Sequence, residues 1–376
     1  MNKAPLLVAA CLLGASLFAE VSPAKTLWKA GDNGIKSYRI PAICTAPNGN
    51  LIAACDARTY HGGDLNSNQP INISIRRSTD GGKSWTNPVN SFTWPWEGDG
   101  ERWAASDPSF VVDRKAKKIF LFYNVWHVSA GDGIYRFYVQ ESKDNGKKWS
   151  KPRDITKDIA FPEWPFGKPG NKGGFIFISS GSGIQLNDEA GTLLHTLVHV
   201  GDGNALFGSD DHGKTWKAFG KPVKNGDECK VVELSDGRWM INSRDYYRGK
   251  GRLIHITADK GMTWTSTYDK ILLDPGCNAQ IMRYGKKALL FTNCKAENRS
   301  NLFLRTSIDD GATWSKGIPI YRGGAAYSDL TALPKGGVGI LYEGEGYGTI
   351  DFVIVPKEDL VADAKKAATE PDELKK

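Results

Sequence analysis

The chain has 376 residues, 24% of them charged and 40% hydrophobic, with 42 glycines, 12 tryptophans and a formal net charge of +7. That length suits one large β-rich domain as readily as two or three smaller ones, and no Pro- or Ser-rich linker divides it. The positive charge is spread along the chain rather than run together, which argues against a nucleic-acid surface and leaves a weak bias towards anionic ligands.

The N-terminus reads as a secretory leader. Lys3 supplies positive charge, and Pro5 to Phe18 is an apolar run too short to span a bilayer. Cleavage is expected after Ala19 or Ala24, so residues 1–24 are assigned to the leader and the mature protein is expected to be secreted or periplasmic, without membrane insertion. Val8-Ala-Ala-Cys11 looks like a lipoprotein box, but it falls too early for an apolar core to precede it, and a lipid anchor is not expected. Five cysteines remain: Cys44, Cys55, Cys229, Cys277 and Cys294. An odd number forbids complete internal pairing, and no C-x-x-C spacing suggests zinc. Buried thiols are the simplest reading, with a Cys44–Cys55 bridge across a hairpin left open.

After the leader the chain alternates strand-like runs with one recurring turn. Ser78-Thr-Asp80-Gly-Gly82-Lys-Ser84-Trp85 returns at Ser142 to Trp149, Ser209 to Trp216, Thr257 to Trp264 and Ser307 to Trp314, all fitting S/T-x-D-x-G-x-(T/S/K)-W. Each copy has hairpin chemistry: the Asp accepts nearby backbone amides, the Gly tolerates positive φ, and the Trp covers the turn. Asp80, Asp144, Asp211, Asp259 and Asp309 are therefore read as scaffold. Strands are expected at Lys118 to Trp126, Gly191 to Val200, Arg238 to Ser243 and Gly337 to Tyr342. Copies about 50 to 65 positions apart match a four-stranded propeller blade with its loops, and about six blades fit the chain. The expected fold is all-β, a six-bladed β-propeller over residues 25–356, followed by a charged, Ala-rich tail at 357–376 that should form a frayed helix.

Four arginines stand at strand positions where a lone guanidinium would be costly: Arg39 in Tyr38-Arg-Ile-Pro41, Arg58 after Leu51 to Cys55, Arg244 ending Met240-Ile-Asn-Ser-Arg, and Arg299 ahead of Leu302 to Leu304. Arg-Ile-Pro followed by several Asp boxes resembles the exo-α-sialidases of the bacterial and animal type, over about Lys36 to Val355. The resemblance implies that Arg39, Arg244 and Arg299 clamp a substrate carboxylate, a task suited to forked guanidinium donors. It places Glu343 of Leu-Tyr-Glu behind Arg39, Tyr327 of Ala-Ala-Tyr-Ser-Asp-Leu as nucleophile, and Glu233 of Val-Val-Glu-Leu-Ser-Asp-Gly as the base that activates the phenol. Asp64 in His61-Gly-Gly-Asp64 takes the acid/base position, on a loop to which two glycines would give freedom, while Arg58 and Asp107 contact ring substituents. Ser180-Gly-Ser-Gly-Ile-Gln185 resembles a further segment near the site, and Asp56 is left outside it. Where relatives carry Cys-Gln, this chain has Cys277-Asn278-Ala-Gln280, which puts leaving-group contacts in doubt.

The implied activity is retaining hydrolysis of terminal α-linked sialic acid from sialylated glycoconjugates, mucin-type or other, with no metal and no organic cofactor. Two alternatives stay open: a non-catalytic Asp-box propeller that binds glycan or protein, and a trans-sialidase or anhydrosialidase acting on the same sugar. Oligomeric state is not readable from the sequence.

Overall fold

A computed structural model describes residues 21–96, 100–164, 175–245 and 251–373. Most of the expected leader, residues 1–20, lies outside the described residues. The described residues form six sheets around one axis, a six-bladed β-propeller, antiparallel throughout except where the short Gly181–Ser182 strand runs parallel to Trp103–Asp113. Blade I is Ser37–Thr45, Leu51–Arg58, Ile71–Ser78 and Val89–Asn90; blade II is Trp103–Asp113, Lys118–His127, Tyr135–Ser142 and Arg153–Asp154. In blade III two short pieces, Ile176–Ile178 and Ile184–Gln185, share the innermost place beside Leu193–His199, followed by Gly203–Ser209 and Lys217–Lys224. Blade IV is Cys229–Glu233, Trp239–Ser243, Arg252–Thr257 and Thr265–Asp269; blade V is Gln280–Tyr284, Ala288–Cys294, Ser300–Ser307 and Ile318–Gly324. Blade VI, Ser328–Ala332, Val338–Gly344 and Thr349–Val355, takes its fourth strand from the chain start, Lys25–Lys29, which pairs antiparallel with Thr349–Val355 and closes the ring.

Because side chains alternate across a strand, each blade offers two apolar faces and cannot bury both alone. Six hydrophobic clusters lie between the blades, one at each interface: Phe110 and Ile52 between I and II, Phe122 and Phe207 between II and III, and so on to Phe352 and Leu51 between VI and I. The recurring turns sit at these seams. Every copy joins the third strand of its blade to the fourth, and its Asp accepts the backbone N–H four residues on, as in Ser84 N to Asp80 Oδ1 at 2.9 Å and Thr313 N to Asp309 Oδ1 at 2.9 Å. The fourth and fifth positions of each copy both have positive φ, for example His212 at 61° and Gly213 at 78°, the left-handed pair at the centre of a type I′ turn within the longer connection. In the second copy Lys148 contributes its backbone N–H to Asp144 at 2.9 Å but has no hydroxyl to add. The turn then packs on the preceding blade: Trp85 against Phe352 at 5.2 Å, Trp216 against Phe122 at 4.8 Å, and Trp314 donating to Asp269 at 2.8 Å.

Two expectations are revised. The tail is a docked helix, α1 (Lys357–Thr369): Leu360 and Ala367 are buried, Asp363 accepts from Ser315 at 2.6 Å, and Lys295 and Asp372 pair at 2.6 Å just beyond its end. Cys44 and Cys55 belong to different inter-blade cores, because Cys44 pairs with Ile52 and the odd offset from there to Cys55 places the two thiols on opposite faces. All five described cysteines are buried and unbridged.

Candidate active site

The innermost strands of a propeller all run the same way along the axis, so one mouth collects their starts, the ends of the second strands and the starts of the third. Arg39 lies near the start of an innermost strand, Glu228 and Tyr327 immediately precede theirs, Arg58 ends a second strand, Arg244 follows one, Glu343 is the last residue but one of another, and Arg299 precedes a third. This mouth holds a cleft of about 230 Å³ lined by Asp64, Asp107, Tyr135, Glu228, Arg244 and Tyr327 among others. A larger cavity of about 830 Å³ opens at the opposite mouth, but the converging charges belong to the smaller one.

Tyr327 is its centre. The phenol is 8% exposed and donates to Glu228 Oε2 at 2.6 Å. Burial, and then the charge of Glu228, push the phenol well above its ordinary range, so it is held neutral with its proton directed at a carboxylate. The three arginines surround it. Arg244 Nη1 lies 3.4 Å from the hydroxyl and 2.6 Å from Glu228 Oε2, and the guanidinium carbons of Arg39 and Arg299 lie 5.8 and 5.5 Å from the ring centre. Beside them burial pushes Asp227 up to about 6 against the pull of Arg244, with Glu228 adding to the rise.

The expected base is therefore corrected. Glu233 lies at the far end of its strand, where it accepts from Asn187 N at 2.9 Å and lines the opposite cavity. Five strand residues at about 3.3 Å each separate it from Glu228 by roughly 16 Å. The residue that meets the phenol is Glu228, just before the strand begins.

Two buried acids, one of them left out of the sequence assignment, shape the rest. Glu343 accepts from Arg39 Nε at 2.6 Å, from Ile40 N at 2.9 Å and from Tyr327 N at 3.1 Å. Asp56 likewise accepts from Arg58 Nη2 at 2.9 Å, Ser106 Oγ at 2.6 Å and Asp107 N at 2.9 Å. Ile40 and Asp107 occupy β-bulges with φ of 60° and 63°, strained for any side chain and most of all for a β-branched one. Each acid thus holds an arginine and the amide of a strained bulge together. Burial works most strongly against the Arg39 charge, yet Glu343 and the neighbouring tyrosines outweigh it and keep the guanidinium ionised. Burial, reinforced by Asp56, pushes Asp107 well above the usual carboxylate range; Asp107 accepts from Asn124 at 3.1 Å.

Asp64 stands at the rim, 77% exposed, with Arg58 Nη1 at 2.7 Å. Its loop is stitched rather than loose: the buried Gln69 accepts from Tyr60 N and His61 N and donates to Gly63 O at 2.9 Å. The expected freedom from two glycines is replaced by close packing, since a Cβ on Gly63 would meet Ser67 and His61 at 2.8 Å and neither glycine has positive φ. Ser180 to Gln185 and Asn278 to Gln280 lie deeper, on the axis. There Lys230 donates to Asn278 at 2.8 Å, Asn278 to Ser180 at 2.9 Å, and Gln280 to Ser182 at 2.6 Å. Neither segment lines the cleft; Asn278, where this chain departs from Cys-Gln, belongs to this axial network, while Cys277 packs beside Ile40 and Tyr327. The site also contains Tyr347, which no motif had marked. Its hydroxyl accepts from Arg299 at 3.0 Å and its ring faces Arg39 at 4.2 Å. Among the described residues no group of three or more His, Cys, Asp or Glu is arranged to hold a metal ion.

A BNR repeat-like domain matches residues 49–340. A sialidase from Micromonospora viridifaciens is 36% identical over 90% of the chain, and one from Bacteroides fragilis is 30% identical over 88%. The chain spans 57% and 64% of those two relatives' own lengths. Among solved structures, the Hadza microbial sialidase Hz136 superposes with a TM-score of 0.79 at 28% identity, covering 89% of this chain and 68% of that one.

Proposed function

The chain belongs to the sialidase family, and from that premise we propose that it is an exo-α-sialidase, releasing terminal α-linked sialic acid from glycoconjugates with retention of configuration. The observation that carries the proposal is the 2.6 Å bond between the Tyr327 hydroxyl and Glu228, inside a ring of three arginines. A cluster of cations at the end of a narrow cleft calls for an anion, and sialic acid carries a carboxylate on its anomeric carbon. That carboxylate would repel an Asp or Glu nucleophile, which gives a neutral phenol its advantage, sialidases being the tyrosine exception among retaining glycosidases.

In the first step Glu228 takes the phenolic proton as Tyr327 Oη bonds to the anomeric carbon, while the bond to the leaving oxygen breaks and Asp64 gives that oxygen its proton. In the second step Asp64 takes a proton from water, the water oxygen displaces the tyrosyl oxygen, and Glu228 returns the proton to the phenolate. Arg39, Arg244 and Arg299 hold the carboxylate through both steps, and Arg58 with Asp107 faces the ring substituents. Export from the cytoplasm, proposed from the Lys3 to Phe18 leader pattern, would bring this site to surface glycans.

The test is an aryl α-sialoside assay with product analysis by mass spectrometry and NMR. Free sialic acid, released first as the α-anomer, is expected. Failure to cleave any of a panel of α-linked sialosides would refute the proposal, and an anhydro or transferred product would reassign the reaction.

A further inference from the structure

We infer that Tyr347 is a positioning residue of the carboxylate clamp, fixing Arg39 and Arg299 relative to one another without neutralising either. This rests on the sialoside-cleaving reading of the same site. Tyr347 lies in the turn between Val338–Gly344 and Thr349–Val355, where Glu345, Gly346 and Tyr347 have φ of 49°, 59° and 78°. An aromatic side chain at the last of three left-handed residues is unfavourable in isolation, and such strain persists where surrounding contacts hold it. The contacts here are specific. The ring packs beside Ile40, Cys277, Ala326 and Tyr327, its face lies 4.2 Å from the Arg39 guanidinium carbon, and its hydroxyl accepts from Arg299 Nη1 at 3.0 Å. The same hairpin carries Glu343, which pairs with Arg39 at 2.6 Å.

The charge distribution shows why a phenol suits this position. Arg39 has Glu343 at 2.6 Å, and Arg244 has Glu228 at 2.6 Å and Asp227 at 3.5 Å. Among the described residues Arg299 has no carboxylate within ion-pairing distance; its acceptors are the neutral Tyr347 hydroxyl and the Gly276 carbonyl at 2.8 Å. A carboxylate at position 347 would orient Arg299 equally well but would compete with the ligand for its charge. A neutral acceptor on an aromatic platform orients one guanidinium by hydrogen bonding and the other by cation–π contact, leaving the positive potential to the substrate.

The experiment compares wild type, Tyr347→Phe, Tyr347→Leu, Arg299→Lys and the Tyr347→Phe/Arg299→Lys pair, measuring kcat and KM on an aryl α-sialoside and the Kd of free sialic acid by calorimetry. Tyr347→Phe keeps the ring and loses the hydroxyl, so KM and Kd should rise about 3- to 10-fold with a much smaller change in kcat. Tyr347→Leu should weaken binding further by removing the face under Arg39. In the Arg299→Lys background, Tyr347→Phe should add little, because the partner is already displaced. Unchanged KM and Kd in Tyr347→Phe, or effects that simply multiply in the pair, would overturn the inference. An inactive wild type would instead count against the sialidase reading, so the two failures are distinguishable.

Discussion

A buried phenol is a poor nucleophile until something removes its proton. In the proposed reaction the pairing of Tyr327 with Glu228 meets that need, and the two glutamates five residues apart make the point testable. Glu228→Gln should lower kcat by about 10²- to 10⁴-fold while preserving sialic acid affinity, the usual range for loss of a general base. Glu233→Gln, whose side chain faces the opposite mouth, should leave kcat near the wild-type value. Steady-state kinetics on the two variants would contradict the assignment if Glu233→Gln were the one impaired. The arginines were legible because a guanidinium at a strand end needs an anion. The base was not, since a motif fixes a neighbourhood but not the end of the strand at which its carboxylate emerges. Tyr347 was hidden for a related reason: nothing local in Glu-Gly-Tyr-Gly tells that a turn will place a ring under an arginine more than three hundred residues earlier in the chain.

The repeating turn explains both the number of blades and the number of its own copies. Each copy connects a third strand to a fourth, and blade VI receives its fourth strand from the chain start, so six blades leave five such connections. This arithmetic was accessible from the sequence only in part, because the closing strand Lys25–Lys29 has no motif of its own. Within each turn the glycine meets the neighbouring blade. A Cβ on Gly213 would come within 2.1 Å of Phe120, whereas on Gly237, in a turn facing solvent, it would meet nothing within 4 Å; both have positive φ. Gly237→Ala should therefore cost only the backbone strain, about 1–2 kcal/mol. Gly213→Ala should cost distinctly more in urea denaturation, since two blades must part. Trp314→Ala, which empties a fully buried site between blades IV and V, should cost about 3–5 kcal/mol. A Gly213→Ala variant no less stable than Gly237→Ala would show that the seams are looser than described.

At the scale of the whole molecule the axis is polar, an unusual choice for the centre of a fold. Two residues below Tyr327 lies Asp329, which accepts from Ile43 N at 2.8 Å and Ser182 at 3.3 Å, and two residues below Glu228 lies Lys230, with Gly181 packed against both. Burial pushes Asp329 up to about 6 and Lys230 down to about 8. Between about pH 4 and 6 the native state therefore binds more protons at Asp329 than the unfolded chain does, and stability falls as pH rises. Between about pH 8 and 10.5 the unfolded chain binds more at Lys230, and stability rises with pH. Each contribution integrates to on the order of 3 kcal/mol. The difference between wild type and a Lys230→Met/Asp329→Asn variant, followed by denaturation across pH, should show both slopes with these signs; a flat difference curve would mean that neither group is shifted by folding.

The central question is which protein atom bonds to the sugar. The direct measurement is mass spectrometry of peptides after inactivation with a fluorinated sialosyl donor that slows the second step. The predicted result is one covalent sialosyl adduct on Tyr327, absent in Tyr327→Phe, formed more slowly in Glu228→Gln and at the normal rate in Glu233→Gln. An adduct on any other residue, or turnover by Tyr327→Phe at near the wild-type rate, would contradict it.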